Sequence, residues 1–355
     1  MSPKIRNKWI LALDKRYPDL KDFMPLGIEH LESIYNEFKA NGLADSKFDS
    51  QLELDTGYSY HHGMSEVLLS DRLLRDGFKL SSRDSGPDFK ATKDNRTYWF
   101  EVITPEPMNG IEKHNLDTSN RLNPTGVGSE NLSTWQLWRI TAAIKEKKEK
   151  FEKYINSEHF EVKESDFCII VINDSLLEPF DLPMYGLTQE VTHGVSGLPL
   201  AAEAVYGIGH CYWEDKETPS VLLRRKRNKV LNKNGSPIKL NGFLNDSLAI
   251  ISGVFCLTLR EDYGLTCLFS TNKANSGVYL ENQFANTKIK NSDLSAKFMN
   301  HEYIEAFLSP TEVSKNHNNM VHTIYGQKID FINYLRSEQF RNYAKKKHEE
   351  EMNGV

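Results

Sequence analysis

The sequence predicts an α/β fold: a central sheet flanked by helices, with additional N-terminal helices and a C-terminal α+β extension. Two observations carry this prediction. Between about residues 65 and 173 the apolar spacing changes period, giving the order helix, strand, strand, strand, helix, strand. The chain is also rich enough in core formers, at 39% hydrophobic and 11% aromatic over 355 residues, to build one large domain or two modest ones.

Residues 1 to about 45 read as helical. Ile28, Leu31, Ile34, Tyr35 and Phe38 recur at three- and four-residue spacing, and Gly42 supplies a stop. A second helix fits Ser65 to Asp76, with Ser65 as its cap and Gly77 ending it in a left-handed conformation. Phe78 to Ser82 is a short strand. Phe89 to Thr92 and Thr97 to Thr104 form a hairpin joined through Asp94-Asn95, both turn formers. The second hairpin strand is β-branched and aromatic and stops at Pro105, which has no N–H to continue a ladder.

Glu106 to Glu130 is rich in Pro, Gly and Asn, a loop of the length usually reserved for function or mobility. A long helix follows from about Leu132 to Asn156, and Asp166 to Asn173, DFCIIVIN, is a buried strand. Further on lie a hairpin around Asn234-Gly235, strand-like stretches at Leu248 to Leu259 and Thr266 to Ser270, and a helix from Ile329 to Lys345. These readings divide the chain into an N-terminal helical region (1–60), an α/β core (61–180), an α+β portion packed on it (181–340) and a charged tail (341–355). One composite domain is favoured over two.

Several classes are disfavoured. No apolar run approaches the ~20 residues that span a bilayer. The charged N-terminus lacks an apolar h-region, so the chain reads as cytoplasmic with no membrane partner. Cys168, Cys211, Cys256 and Cys267 form no CxxC pair, against a zinc knuckle or a disulfide framework. Walker A, Rossmann and GxSxG patterns are absent. His61 and His62 precede the Ser65 helix without an i, i+4 His pair, and the other histidines are scattered, so structural roles are expected.

The chemistry centres on the hairpin. With Asp94-Asn95 as a two-residue turn, Phe89 faces Phe100 and Asp88 comes level with Glu101. Two carboxylates meeting there cost free energy unless a cation lies between them or one takes up a proton. Oxygen ligands of this kind suit Mg2+ or Mn2+. An offset turn would leave two separate solvated acids instead. Glu66 is the third acid, read either as a site residue or as a first-turn glutamate complementing the helix dipole. On the long helix, Ile140, Ile144, Phe151, Tyr154 and Ile155 make one stripe; Lys147 falls inside it and Lys145, Lys150 and Lys153 away from it. Lys147 therefore meets a carboxylate cluster or snorkels past the sheet edge. Arg139 lies one helical step from the stripe.

Net charge is −5, yet no acid occurs between Glu217 and Asp246, an interval carrying Arg224, Arg225, Lys226, Arg227, Lys229, Lys233 and Lys239. Such a patch suits phosphates, with a solvated basic hairpin as the alternative.

A glutamate-bearing helix, a GPDF hairpin and an apolar strand carrying a glutamate resemble the PD-(D/E)XK nuclease superfamily, over Glu66 to about Asn173. More closely, Trp99, Glu101, Pro105, Arg139, Thr141 and Lys147 are similar to the WxEVxxP-type strand and RxT…K helix of a family of uncharacterised bacterial proteins. The resemblance implies a restriction-endonuclease-like mixed sheet and metal-dependent phosphodiester hydrolysis of DNA or RNA. It implies that Asp88, Glu101 and Glu66 hold Mg2+ or Mn2+. Arg224, Arg225, Lys226, Arg227 and Lys229 would then track the nucleic-acid backbone. The superfamily's lysine two residues after the strand glutamate is Ile103 here, on the face of Glu101 by parity. Either Lys147 replaces it, or the fold is an inactive binding or regulatory module. A third reading, an unrelated hydrolase with a carboxylate pair, requires a deep, mostly apolar pocket.

Overall fold

The computed structural model describes residues 1–16, 24–54, 58–81, 86–106, 129–177, 198–213, 222–232, 234–261, 263–264 and 277–306, with isolated 342 and 346; at 15–16, 129–133, 210–213, 222–225 and 306 it describes backbone alone. Four helices come first: α1 (Pro3–Arg16), α2 (Met24–Ala40), α3 (Phe48–Glu53) and α4 (Ser59–Arg75). Strands β1 (Lys79–Ser81), β2 (Phe89–Lys93) and β3 (Arg96–Ile103), helix α5 (Ser129–Ile155) and strand β4 (Phe167–Asn173) follow. Helix α6 (Leu200–Tyr206) leads into two short hairpins, β5 (Ile208–Trp213) with β6 (Leu222–Lys226) and β7 (Lys229–Leu231) with β8 (Pro237–Lys239). Strands β9 (Gly253–Leu257), β10 (Val278–Glu281) and β11 (Lys297–Met299) and helix α7 (His301–Ala306) complete the described elements.

One sheet in the order β1-β2-β3-β4-β9-β10-β11 organises these elements. It is mixed: β1, β2 and β3 pair antiparallel, β3-β4 and β4-β9 parallel, β9-β10 antiparallel and β10-β11 parallel. The hairpin register is as expected, with Phe89 opposite Phe100 and Lys93 opposite Arg96. Asp94 and Asn95 both take positive φ, 51° and 57°, the two-residue turn whose twist matches the strands it joins.

Side chains alternate between two cores, because successive strand residues point to opposite faces. Tyr98, Phe100, Val102, Ile169, Val171, Phe255 and Leu257 pack with α1 to α4 on one face. Trp99, Cys168, Ile170, Ile172, Val254 and Cys256 pack with α5 and α6 on the other. The result is a helix–sheet–helix sandwich, and the expected C-terminal extension contributes β9 to β11 to the central sheet itself. Cys168 and Cys256 are buried free thiols, as the sequence suggested.

The helix expected from Ser65 begins at Ser59 instead. Ser65 is therefore no cap: it lies buried in mid-helix, its hydroxyl donating to the His61 carbonyl at 2.7 Å. Gly63 does not break the helix, because it sits where α3 crosses. A Cβ there would come within 2.9 Å of Leu52 Cδ2. At the other end Gly77, at φ 84°, closes the helix as expected, with Phe78 N–H reaching back to Leu73 O. The stretch Leu248 to Leu259 divides into a 3-10 turn (Asp246–Leu248) and β9. The expected strand at Thr266 to Ser270, the helix at Ile329 to Lys345, and most of the Glu106 to Glu130 loop and the charged tail lie outside the described residues. Among the described residues no helix is long and apolar enough to cross a membrane.

An ion pair between a buried acid and a partly exposed arginine fastens the hairpin to the late part of the chain. Asp293, 1% exposed, accepts two hydrogen bonds from the Arg96 guanidinium, at 2.6 and 3.0 Å, and one from Tyr98 OH at 3.1 Å. Asp293→Ala leaves the Tyr98 hydroxyl without its acceptor and the Arg96 guanidinium with only the more distant Asp94, at 3.7 Å. The expected loss is about 2 kcal/mol of unfolding free energy, read as a lower denaturant midpoint at unchanged slope.

Candidate active site

Four elements converge on one polar cavity of about 400 Å3: α4, the residue leading into β2, the end of β3 and the middle of α5. Its wall carries His62, Glu66, Asp88, Ile103, Thr104, Glu106, Arg139, Lys147 and Lys150. This charged lining does not match the apolar pocket that an unrelated hydrolase would need.

Asp88 stands where the β2 ladder begins. Its Oδ2 accepts the Val102 N–H at 2.6 Å, so the carboxylate takes over from the backbone ladder just beyond Phe89–Phe100. Glu101, next to Val102, turns its side chain to the α5 face of the sheet and is buried there. Lys147 Nζ donates to Glu101 Oε1 at 2.9 Å, with side chains 7% and 2% exposed. Lys147 thus meets the strand glutamate instead of snorkelling to water.

Lys150, expected to point away from the stripe, reaches the same oxygen at 3.1 Å. Helical-wheel position fixes only its Cβ; the flexible four-carbon stem carries the ammonium one turn along α5 to the shared acceptor. Burial works against the Lys150 charge, but the Glu101 carboxylate outweighs it and holds its pKa above the ordinary lysine value.

Glu66 lies on the cavity wall, one turn after His62 on α4. It is not in the first helical turn, so the dipole explanation falls away. Burial first, then the Asp88 charge, pushes its carboxyl up to about 8. Burial first, then Glu101, pushes Asp88 up to about 7, with Lys147 and the Val102 N–H working the other way. Both carboxyls therefore bind protons more tightly folded than unfolded. Their contribution to stability is complete below their ordinary values of 3.8 and 4.5, and is lost as pH rises through about 7 and about 8. The metal-free protein is expected to lose stability between pH 5 and pH 9, in roughly the window set by these two groups. Urea midpoints across that range test this, and Asp88→Asn should flatten the slope.

The donor set, carboxylate oxygens and a buried Glu101 Oε2 with no hydrogen-bond partner, suits a hard divalent cation. Among the described residues, however, no three His, Cys, Asp or Glu side chains close around one point. Glu101 is drawn toward its two lysines.

The basic interval is less available than its sequence suggested. Arg227 turns inward, its Nε donating at 2.5 Å to Glu203, itself 1% exposed. Lys226 pairs with Glu305 at 2.8 Å. Acids from α6 and α7 thus enter an interval that has none of its own. Lys229 is exposed, while the side chains of Arg224 and Arg225 lie outside those described.

Sequence reasoning missed His62, Glu106 and Lys150. The signal for His62 was its i, i+4 spacing to Glu66, hidden by starting α4 too late; for Lys150 it was the i, i+3 spacing to Lys147. Comparison with family models, with curated proteins and with solved structures produced no match.

Proposed function

We propose that this chain is a metal-dependent phosphodiesterase of the PD-(D/E)XK kind, cleaving DNA or RNA from a restriction-endonuclease-like fold. One observation carries the reading: a buried strand glutamate with an unpartnered oxygen is held by Lys147 and Lys150, and both lysines line the same cavity as Glu66 and Asp88. Asp88 and Glu101 would hold Mg2+ or Mn2+, with Glu66 beside them as the base for the attacking water. Bound there, the ion supplies a water of lowered pKa and screening of the scissile phosphate.

The chain's own residues do the rest. Glu66, with a proton affinity raised to near neutrality, accepts a proton from the attacking water. Lys147 fixes the Glu101 carboxylate and lends positive charge to the wall that faces the phosphate. Lys150, on the same wall and half exposed, offers a second cation to a phosphate oxygen. Exposed basic residues such as Lys229 steer the polyanion.

Ile103, lining the cavity where the superfamily keeps a lysine, favours a second reading: an inactive nuclease-like fold that binds nucleic acid or regulates. Incubation with single- and double-stranded DNA and RNA, with Mg2+ or Mn2+ and with chelator, separates the two. Cleavage abolished by chelator is expected. Binding without cleavage, insensitive to metal, supports the second reading.

A further inference from the structure

We propose that His62 is the proton donor to the leaving oxygen of this hydrolysis, an inference that rests on the phosphodiesterase reading. His62 sits on α4 one turn before Glu66 and lines the cavity with Glu66, Asp88, Lys147 and Lys150. Its Nε2 lies 3.2 Å from the Thr104 carbonyl oxygen. A carbonyl oxygen only accepts, so Nε2 carries its hydrogen whether the ring is neutral or charged. The proton that comes and goes is therefore the one on Nδ1.

Thr104 is a rigid anchor for the ring. It is buried, its hydroxyl lies 2.6 Å from Ser65 Oγ, and that oxygen also receives a hydrogen bond from Asn173 Nδ2 at 2.6 Å. Asn173 Nδ2 also donates to Leu259 O at 2.9 Å. This buried network ties α4 to the ends of β3 and β4, so the ring is held at one nitrogen while its half-exposed edge can regain a proton from water.

Chemistry singles out His62 among the cavity residues. Asp88 and Glu101 are committed to the cation, Glu66 takes the proton on the attack side, and Glu106, its Oε1 3.9 Å from His62 Nε2, is the counter-ion that steadies the charged ring. Lysine and arginine hold their protons too tightly to release them readily near neutrality. An imidazole gives and regains one there. In the step, the water oxygen forms the new bond to phosphorus and its proton passes to Glu66. The bond from phosphorus to the leaving oxygen breaks, its electron pair stays on that oxygen, and the Nδ1 proton moves to it. Neutral His62 keeps its Nε2–H on Thr104 and is reprotonated by solvent.

The test compares wild type, His62→Ala and His62→Gln on an ordinary phosphodiester and on the same strand with a bridging sulfur at the scissile position. Sulfur departs without needing a proton. Both variants are expected to slow the oxygen ester by about a hundredfold or more, and the sulfur ester far less. Glutamine keeps a donor to Thr104 but has no titrating proton. Equal losses on both substrates, no loss on either, or full activity in His62→Gln would each overturn the proposal. A wild type that cleaves neither substrate overturns the phosphodiesterase reading itself. Independently of activity, long-range proton–nitrogen NMR of the metal-free protein at alkaline pH should show the Nε2–H tautomer for His62. An Nδ1–H tautomer contradicts the assignment.

Discussion

Asp88→Asn is expected to reduce cleavage on the order of a thousandfold while leaving the chain folded. Asparagine preserves an oxygen for the Val102 N–H, so the hairpin end keeps its hydrogen bond. It removes the charge that a cation requires, and losing a metal's stabilisation of the transition state costs about 4 kcal/mol, hence about three powers of ten. It also takes away the second-largest cause of the raised Glu66 proton affinity, so that carboxyl should titrate lower in the variant. Glu101→Gln is expected to lose a similar amount of activity, but with a stability penalty. It leaves Lys147, only 7% exposed, without its anion. Rates for that variant are best measured well below its melting temperature. Undiminished cleavage in both variants rejects the carboxylate mechanism.

Lys147→Met is expected to lose about 3 kcal/mol of stability, the lower end of the range for breaking a buried pair, because Lys150 still neutralises the same Glu101 oxygen. Cleavage should fall with it. The decisive variant adds Ile103→Lys to Lys147→Met. Position 103 shares a strand face with Glu101 and lines the same cavity, so a lysine there can supply the missing charge from β3. Recovery of a substantial part of the rate is expected, and circular dichroism melts monitor stability separately. If Lys147→Met loses stability but keeps its rate, Lys147 is a structural counter-ion only.

Much of the fold was legible because local chemistry agreed with tertiary context. The Asp94-Asn95 turn fixed the hairpin register, from Phe89 opposite Phe100 to Lys93 opposite Arg96, without any long-range information. The α5 stripe placed Lys147 among core residues, and a buried ammonium demands an anion. Three features could not be read locally. The start of α4 depends on Leu52, from α3, filling the space beside Gly63, so Ser65 passed for a cap and His62 for a loop residue. The anions of Arg227 and Lys226 come from α6 and α7, and nothing within the basic interval announces them. Strands β10 and β11 are short, at four and three residues, and carry too little periodicity to stand out from their surroundings.

The most direct measurement is calorimetric titration of the metal-free chain with Mn2+ at pH 6.5, alongside Asp88→Asn. A carboxylate cation site predicts saturable binding by the wild type, proton release on binding as Asp88 and Glu66 ionise, and loss of both in Asp88→Asn. Equal binding by wild type and variant, or no binding by either, would contradict it.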